Sequence, residues 1–153
     1  MRISAKTDYA LRAAVELAVQ GGDGLVKAEQ IATAQGIPLR FLENILGDLR
    51  NAGIVESRRG VEGGYLLARP PREIALADIV RAVDGPLANV GGTRPDALEY
   101  EGAAEPLRDV WVAVRAALRS VLERTTVADV AAGKLPKPIQ TMVADPDAWV
   151  RRI

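Results

Sequence analysis

Apolar residues recur at helical spacing in some stretches of the chain and in short runs in others, and this alternation divides it into elements. Over residues 4–20, Tyr9, Ala10, Ala13, Ala14, Leu17 and Ala18 fall on one face of a 3.6-residue period. Ser4 stands where an N-cap hydroxyl accepts a bond from a first-turn amide, and Gly21-Gly22-Asp23-Gly24 stops the helix. A short second helix is predicted over 28–35, with Ile31 and Ala32 on its buried side and Gly36 at the C-cap. Pro38 suits the first turn of a third helix, 38–52, because its missing amide proton is no loss there. Phe41, Leu42, Ile45, Leu46 and Leu49 form the apolar stripe of that helix. Arg40, Glu43, Asn44, Asp48, Arg50 and Asn51 lie off the stripe, and Gly53 ends it.

The period then changes. Residues 54–58 and 65–68 are short strand candidates, joined by the glycine-rich turn 59–64, Arg-Gly-Val-Glu-Gly-Gly. Two helices around a tight turn, followed by a hairpin, form the pattern of a winged helix-turn-helix. Pro70-Pro71 breaks the chain before a helix over 76–83 carrying Ile79, Val80 and Val83, which Asp84-Gly85-Pro86 stops. Residues 87–104 show no period and are expected to be loop. A long helix over 106–125 places Leu107, Val110, Trp111, Val114, Leu118, Val121 and Leu122 on one stripe. A short final helix is expected over 127–132. The tail from 133, with Pro136, Pro138 and Pro146, is expected to be extended or partly disordered.

The expected fold is therefore mainly α with a small β-hairpin: a winged helix-turn-helix followed by a long dimerisation helix. Its organisation is 1–85 for DNA binding, 86–104 as a loop, 105–132 for dimerisation with the short helix, and 133–153 as tail.

Composition narrows the chemistry. The chain has 153 residues, 48% hydrophobic and 26% charged, which fits one globular domain with an appended element. Twenty basic and twenty acidic residues leave no net charge, so global charge gives no nucleic-acid footprint. Histidine and cysteine are both absent. That excludes thiolate and imidazole metal sites, cysteine-held iron–sulfur clusters, disulfides and every Ser-His or Cys-His nucleophile pair. No phosphate loop or metal motif is present either, so neither an enzyme nor a cofactor is expected. No apolar run is long enough to span a bilayer, and charge near the N-terminus stands where a signal peptide needs an apolar stretch. The expectation is a cytoplasmic protein with no membrane partner.

Several strings together resemble a known family: Met1-Arg2-Ile3-Ser4 with Tyr9-Ala10; Phe41-Leu42-Glu43-Asn44-Ile45-Leu46 with Leu49-Arg50 and Ala52-Gly53-Ile54-Val55; Ser57-Arg58-Arg59-Gly60 with Gly63-Gly64-Tyr65-Leu66-Leu67; and Ala82-Val83-Asp84-Gly85-Pro86. They are similar to the IscR/NsrR/CymR (Rrf-two) family of bacterial winged-helix transcription regulators, over about residues 1–130. The resemblance implies a homodimer that binds a roughly palindromic operator and acts mainly as a repressor. Well-known members of that family hold an iron–sulfur cluster through three cysteines in the loop before the long helix. The corresponding loop here, 87–104, has no thiol, so cluster-based sensing does not carry over.

In a winged helix the recognition helix enters the major groove, where each base pair shows its own donor and acceptor pattern. Arg40 can donate to phosphate or guanine, Glu43 can accept from a cytosine amino group, and Asn44 can pair with an adenine edge. The family resemblance carries base reading to Glu43 and Asn44, whereas Arg40 stands where the family often has a small polar residue. A plain solvated helix face would show the same residues, and the wing behind them tips the reading toward DNA. Arg50 joins the DNA-facing set. Arg58 and Arg59 sit at the hairpin tip, where a guanidinium is drawn into a narrow minor groove, and the family has an arginine at the position of Arg59. Gly60, Gly63 and Gly64 either allow close approach to phosphates or serve the turn alone. Glu62 would repel phosphate. Over residues 36–72 six arginines face four acids, a local charge of 6 − 4 = +2.

The stripe from Leu107 to Leu122 calls for a partner helix as cover, or for packing back onto its own domain. The resemblance implies a small-molecule effector pocket between loop 87–104 and the long helix, where family members put their sensor, with Tyr100 and Trp111 as aromatic walls; the alternative is a loop that only connects. The acids Asp96, Glu99, Glu101 and Glu105 match no calcium-loop spacing. The competing reading is a winged helix used for protein–protein contact without an operator.

Overall fold

The structure, a computed structural model, describes residues 1–22 and 24–153. Asp23, one residue of the expected first-helix stop, lies outside the described residues. The helices and strands are α1 (Ala5–Gly21), α2 (Ala28–Gln35), α3 (Leu39–Asn51), β1 (Val55–Arg58), β2 (Gly64–Leu67), α4 (Leu76–Asp84), α5 (Leu107–Leu122), α6 (Val127–Ala132) and α7 (Lys137–Ala144).

The body is built around α1. Its N-cap Ser4 accepts from the Thr7 amide at 3.0 Å. Ala10, Ala13, Ala14 and Leu17 are buried, and these mostly small side chains let α2, α3, α4 and α6 pack directly on it. From α3 come Leu42, Ile45, Leu46 and Leu49, all at 0% exposure, so the predicted stripe is the core face of that helix. Ile31, Ile54, Ile74, Ile79 and Val127 complete the core. Ser4 Oγ donates to Asp84 Oδ2 at 2.6 Å and the Thr7 hydroxyl donates to the same oxygen, which ties the start of α1 to the end of α4. These two hydroxyls hold the Asp84 carboxyl below the usual carboxylate range.

Three sequence expectations need correction. Phe41 is not part of the buried stripe: it is 39% exposed, with its ring edge-on to Tyr9 at 5.6 Å. It sits at the margin of the helix face, where one aromatic neighbour covers it on one side only.

The tail is not extended. Pro136 is the N-cap of α7 and Pro138 lies in its first turn, positions that need no amide proton, so these prolines start a helix instead of preventing one. A 3-10 turn, Pro146–Trp149, follows, and Trp149 Nε1 donates to the Val143 carbonyl at 2.7 Å.

Finally, α6 does not belong with the long helix. The Leu76 amide bonds Thr125 O and the Val127 amide bonds Ile74 O, both at 2.9 Å, stitching the start of α6 to the start of α4. Val127 is fully buried in the core around α1. The loop at 87–104 is irregular as expected, with two short 3-10 turns, Pro95–Ala97 and Gly102–Ala104.

Candidate nucleic-acid interface

The buried face of α3 fixes where its other face points. With Leu42, Ile45, Leu46 and Leu49 in the core, Arg40, Glu43, Asn44 and Arg50 are all exposed. Gly36 takes the left-handed conformation at the end of α2 and starts the short turn that sets α3 across it.

The wing is an antiparallel pair with register Val55↔Leu67, Glu56↔Leu66, Ser57↔Tyr65 and Arg58↔Gly64. It is anchored on its far side. Val26 and Tyr65 exchange two backbone hydrogen bonds of 2.8 Å, so the segment between α1 and α2 adds a one-residue third strand. Two of the wing glycines are explained by packing. A Cβ on Gly64 would lie 2.7 Å from the Val26 carbonyl oxygen, and one on Gly63 would fall on the Arg58 carbonyl. Gly63 is also buried, which favours the turn role over phosphate contact for this residue. Gly60 is exposed in the turn, with φ at 104°.

Between α3 and the wing lies an open groove of about 370 Å³. It brings together seven of the expected residues: Glu43, Arg50, Arg58, Arg59, Gly60, Gly63 and Gly64. Arg40 and Asn44 do not line it and stand on the exposed N-terminal half of α3. Arg50 also reaches Ser57 at a long 3.4 Å, linking the end of α3 to β1. Among the described residues no ion pair engages Arg40, Arg58 or Arg59, so neither Glu56 nor Glu62 neutralises the wing arginines. Sequence reasoning missed Lys27. Its Nζ donates to the carbonyls of Val61 at 2.7 Å and Gly63 at 3.3 Å, buttressing the wing from the N-cap of α2. Nothing local signals this role, because the contact spans more than thirty positions of chain.

The long helix behaves differently from the core helices. No residue of α5 is buried. Leu107 and Val110 are 43% and 50% exposed, while Trp111, Val114, Leu118, Val121 and Leu122 are half-buried. Its own chain therefore covers the stripe only in part. Tyr100 and Trp111 are each half-buried, but the cleft between the turn after α4 and α5 is lined by other residues, four of them arginines. Asp96 is held by Arg94 and Arg115, and those bonds keep its carboxyl well below the ordinary range. No helix of the described residues is long and apolar enough to cross a membrane.

Comparison with known proteins agrees with this geometry. Residues 3–133 match a family model described as Rrf2, an iron-dependent transcriptional regulator. A Mycobacterium tuberculosis protein named by class as an HTH-type transcriptional regulator, Rv1287, is 51% identical over 145 residues, covering 95% of this chain and 90% of its own. The HTH-type transcriptional regulator CymR of Bacillus subtilis is 38% identical over 131 residues, 86% of this chain and 90% of the relative. The solved structure of CymR, the global cysteine regulator of B. subtilis, superposes with a TM-score of 0.74 at 36% identity, covering 88% of this chain and 98% of that one. The iron in the family description does not fit the residues here. The chain offers neither thiolate nor imidazole, and among the described residues no three carboxylates converge as a metal-holding group.

Proposed function

The chain belongs to the Rrf2 family of transcriptional regulators and is a DNA-binding regulator, not an enzyme; from that premise we propose that it is a homodimeric repressor acting on a palindromic operator in the bacterial cytoplasm, without an iron–sulfur cluster. Each protomer lays α3 in a major groove, with Glu43 and Asn44 reading base edges and Arg40 donating to guanine or phosphate. Arg50 and Arg58 contact the backbone. Arg59 enters the adjoining minor groove, where narrow A·T-rich sequence strengthens the negative potential. Gly60 lets the turn approach phosphate closely, while Gly63 and Gly64 hold the wing in place.

The observation that carries this reading is the groove between α3 and the wing, with Arg58 and Arg59 at its rim and, among the described residues, no acid paired to either. The dimer forms through Leu107, Val110, Trp111, Val114, Leu118, Val121 and Leu122, which their own chain leaves partly uncovered. Pairing sets the half-sites about one DNA turn apart or a multiple of it. An effector acts from the region between the 87–104 loop and α5, the segments that carry Tyr100 and Trp111.

Fluorescence anisotropy with the protein's own promoter region is the test. Specific, salt-sensitive binding by a dimer is expected, and absence of binding at low salt would overturn the proposal.

A further inference from the structure

We propose that the cleft between the turn after α4 and α5 binds a small organic anion carrying at least two oxyanion groups, phosphate or carboxylate. The proposal deepens the effector reading above by naming a ligand class, and depends on that reading only for its regulatory meaning.

The cleft encloses about 530 Å³, inside the range of roughly 300–1,000 Å³ common to small-molecule sites. Four guanidinium groups from three separate segments face it: Arg81 on α4, Arg94 ahead of the Pro95–Ala97 turn, and Arg115 and Arg119 one turn apart on α5. Among the described residues no carboxylate lines it. The acids stand behind the arginines instead. Asp96 holds both Arg94 and Arg115. Glu123 holds both Arg81 and Arg119. Asp78, 4.0 Å from Arg81, is shared with Arg69 and the Ala75 amide.

Three carboxylates thus serve five cations, Arg69 included, and those eight side chains sum to 5 − 3 = +2. Each guanidinium has five N–H donors, so donors remain after the acids are satisfied. The acids also fix the guanidinium planes in advance, so an incoming oxyanion orders little that is not already ordered. Arg115 is the most enclosed of the four, its side chain only 16% exposed, which places one cation where solvent screens it least. Leu87, buried, gives the site an apolar floor. Beside it Ala88 adopts φ 55°, a left-handed conformation that alanine rarely takes and that bends the backbone around the cleft. A dianion matches the excess charge, and a ligand with oxyanions at two ends reaches the Arg94–Arg115 pair and the Arg81–Arg119 pair together. None of these lining residues is shared with the groove beside α3.

The experiment uses the full chain without DNA. Isothermal titration and thermal melting are run with inorganic phosphate, pyrophosphate and citrate against potassium chloride of equal ionic strength. At least one of the three anions should bind and raise the melting temperature, with the two-ended anions ahead of inorganic phosphate. Arg94→Gln and Arg119→Gln, both at exposed positions that leave the core untouched, should each weaken binding about tenfold. Arg59→Ala should leave anion binding unchanged. Silence with all three anions overturns the inference, as does binding that survives both arginine variants or is lost in Arg59→Ala. Operator binding measured separately keeps the two proposals apart: anion binding without DNA binding sinks only the repressor reading, and DNA binding without anion binding sinks only this one.

Discussion

Replacing Arg59 by alanine is the sharpest probe of the interface. The side chain is exposed in the wing turn and takes part in no ion pair among the described residues, so its removal should move folding stability by less than about 0.5 kcal/mol. Its contribution to binding is of a different size. A charge-assisted hydrogen bond to DNA contributes roughly 1.5 kcal/mol, and twofold symmetry doubles that to about 3 kcal/mol for a dimer. The operator Kd should therefore rise about a hundredfold. Each lost neutralisation also lowers the slope of log affinity against log salt by about 0.9, or about 1.8 for the pair of wings. Anisotropy titrations across a salt series give both quantities, with a thermal melt as control. Glu62→Gln, at the same tip, should move affinity in the opposite direction. If Arg59→Ala leaves affinity and salt slope unchanged while the melt stays the same, the wing does not touch DNA and the interface has been assigned wrongly.

Other perturbations address other parts of the molecule. Val114→Asp should give monomers by light scattering and weak operator binding, because a carboxylate would enter the half-covered stripe of α5; an unchanged dimer mass contradicts the assigned interface. Gly64→Ala should destabilise the fold by about 1–3 kcal/mol in chemical denaturation, since the new methyl lies 2.7 Å from the Val26 carbonyl oxygen. Asp84→Asn probes the link from α4 to Ser4 and Thr7. The folded-state pKa of Asp84 is depressed, so its stabilising effect is complete above the unfolded value near about 4 and is lost as pH falls through the lower folded value. The wild type should thus be the more stable protein near neutrality, and the difference should shrink in acid; a pH-independent difference would remove the carboxylate from the explanation.

Much of the fold was legible because local chemistry and tertiary packing agree. The hydroxyl of Ser4, the glycine at 36, the spacing of Leu42, Ile45, Leu46 and Leu49, and the glycine-rich string before Tyr65 each specify one local geometry, and each is found there. The exposure of the residues proposed to meet DNA on α3 followed from the same periodicity, since a helix with one face in the core exposes the other. Failures arose where the deciding neighbour is remote in sequence. Periodicity counts apolar residues without knowing the width of the covering surface, so it took Phe41 for core. It treats proline as a breaker without seeing that Pro136 and Pro138 fall at a helix start, where proline is favoured. Lys27 under the wing, Asp84 against Ser4 and Thr7, and the four arginines around the cleft after α4 all come together only through folding.

The return of α6 to the start of α4 has a mechanical consequence. The chain leaves the DNA-binding body at Gly85 and re-enters it at Thr125, so α5 is a bracket bolted at both feet instead of an arm on a single joint. In a pair joined through such brackets, the distance from one probing helix to its twin is set by solid packing and not by slack in a tether. An operator lengthened or shortened by a few base pairs between its halves would then find one of the two helices out of reach.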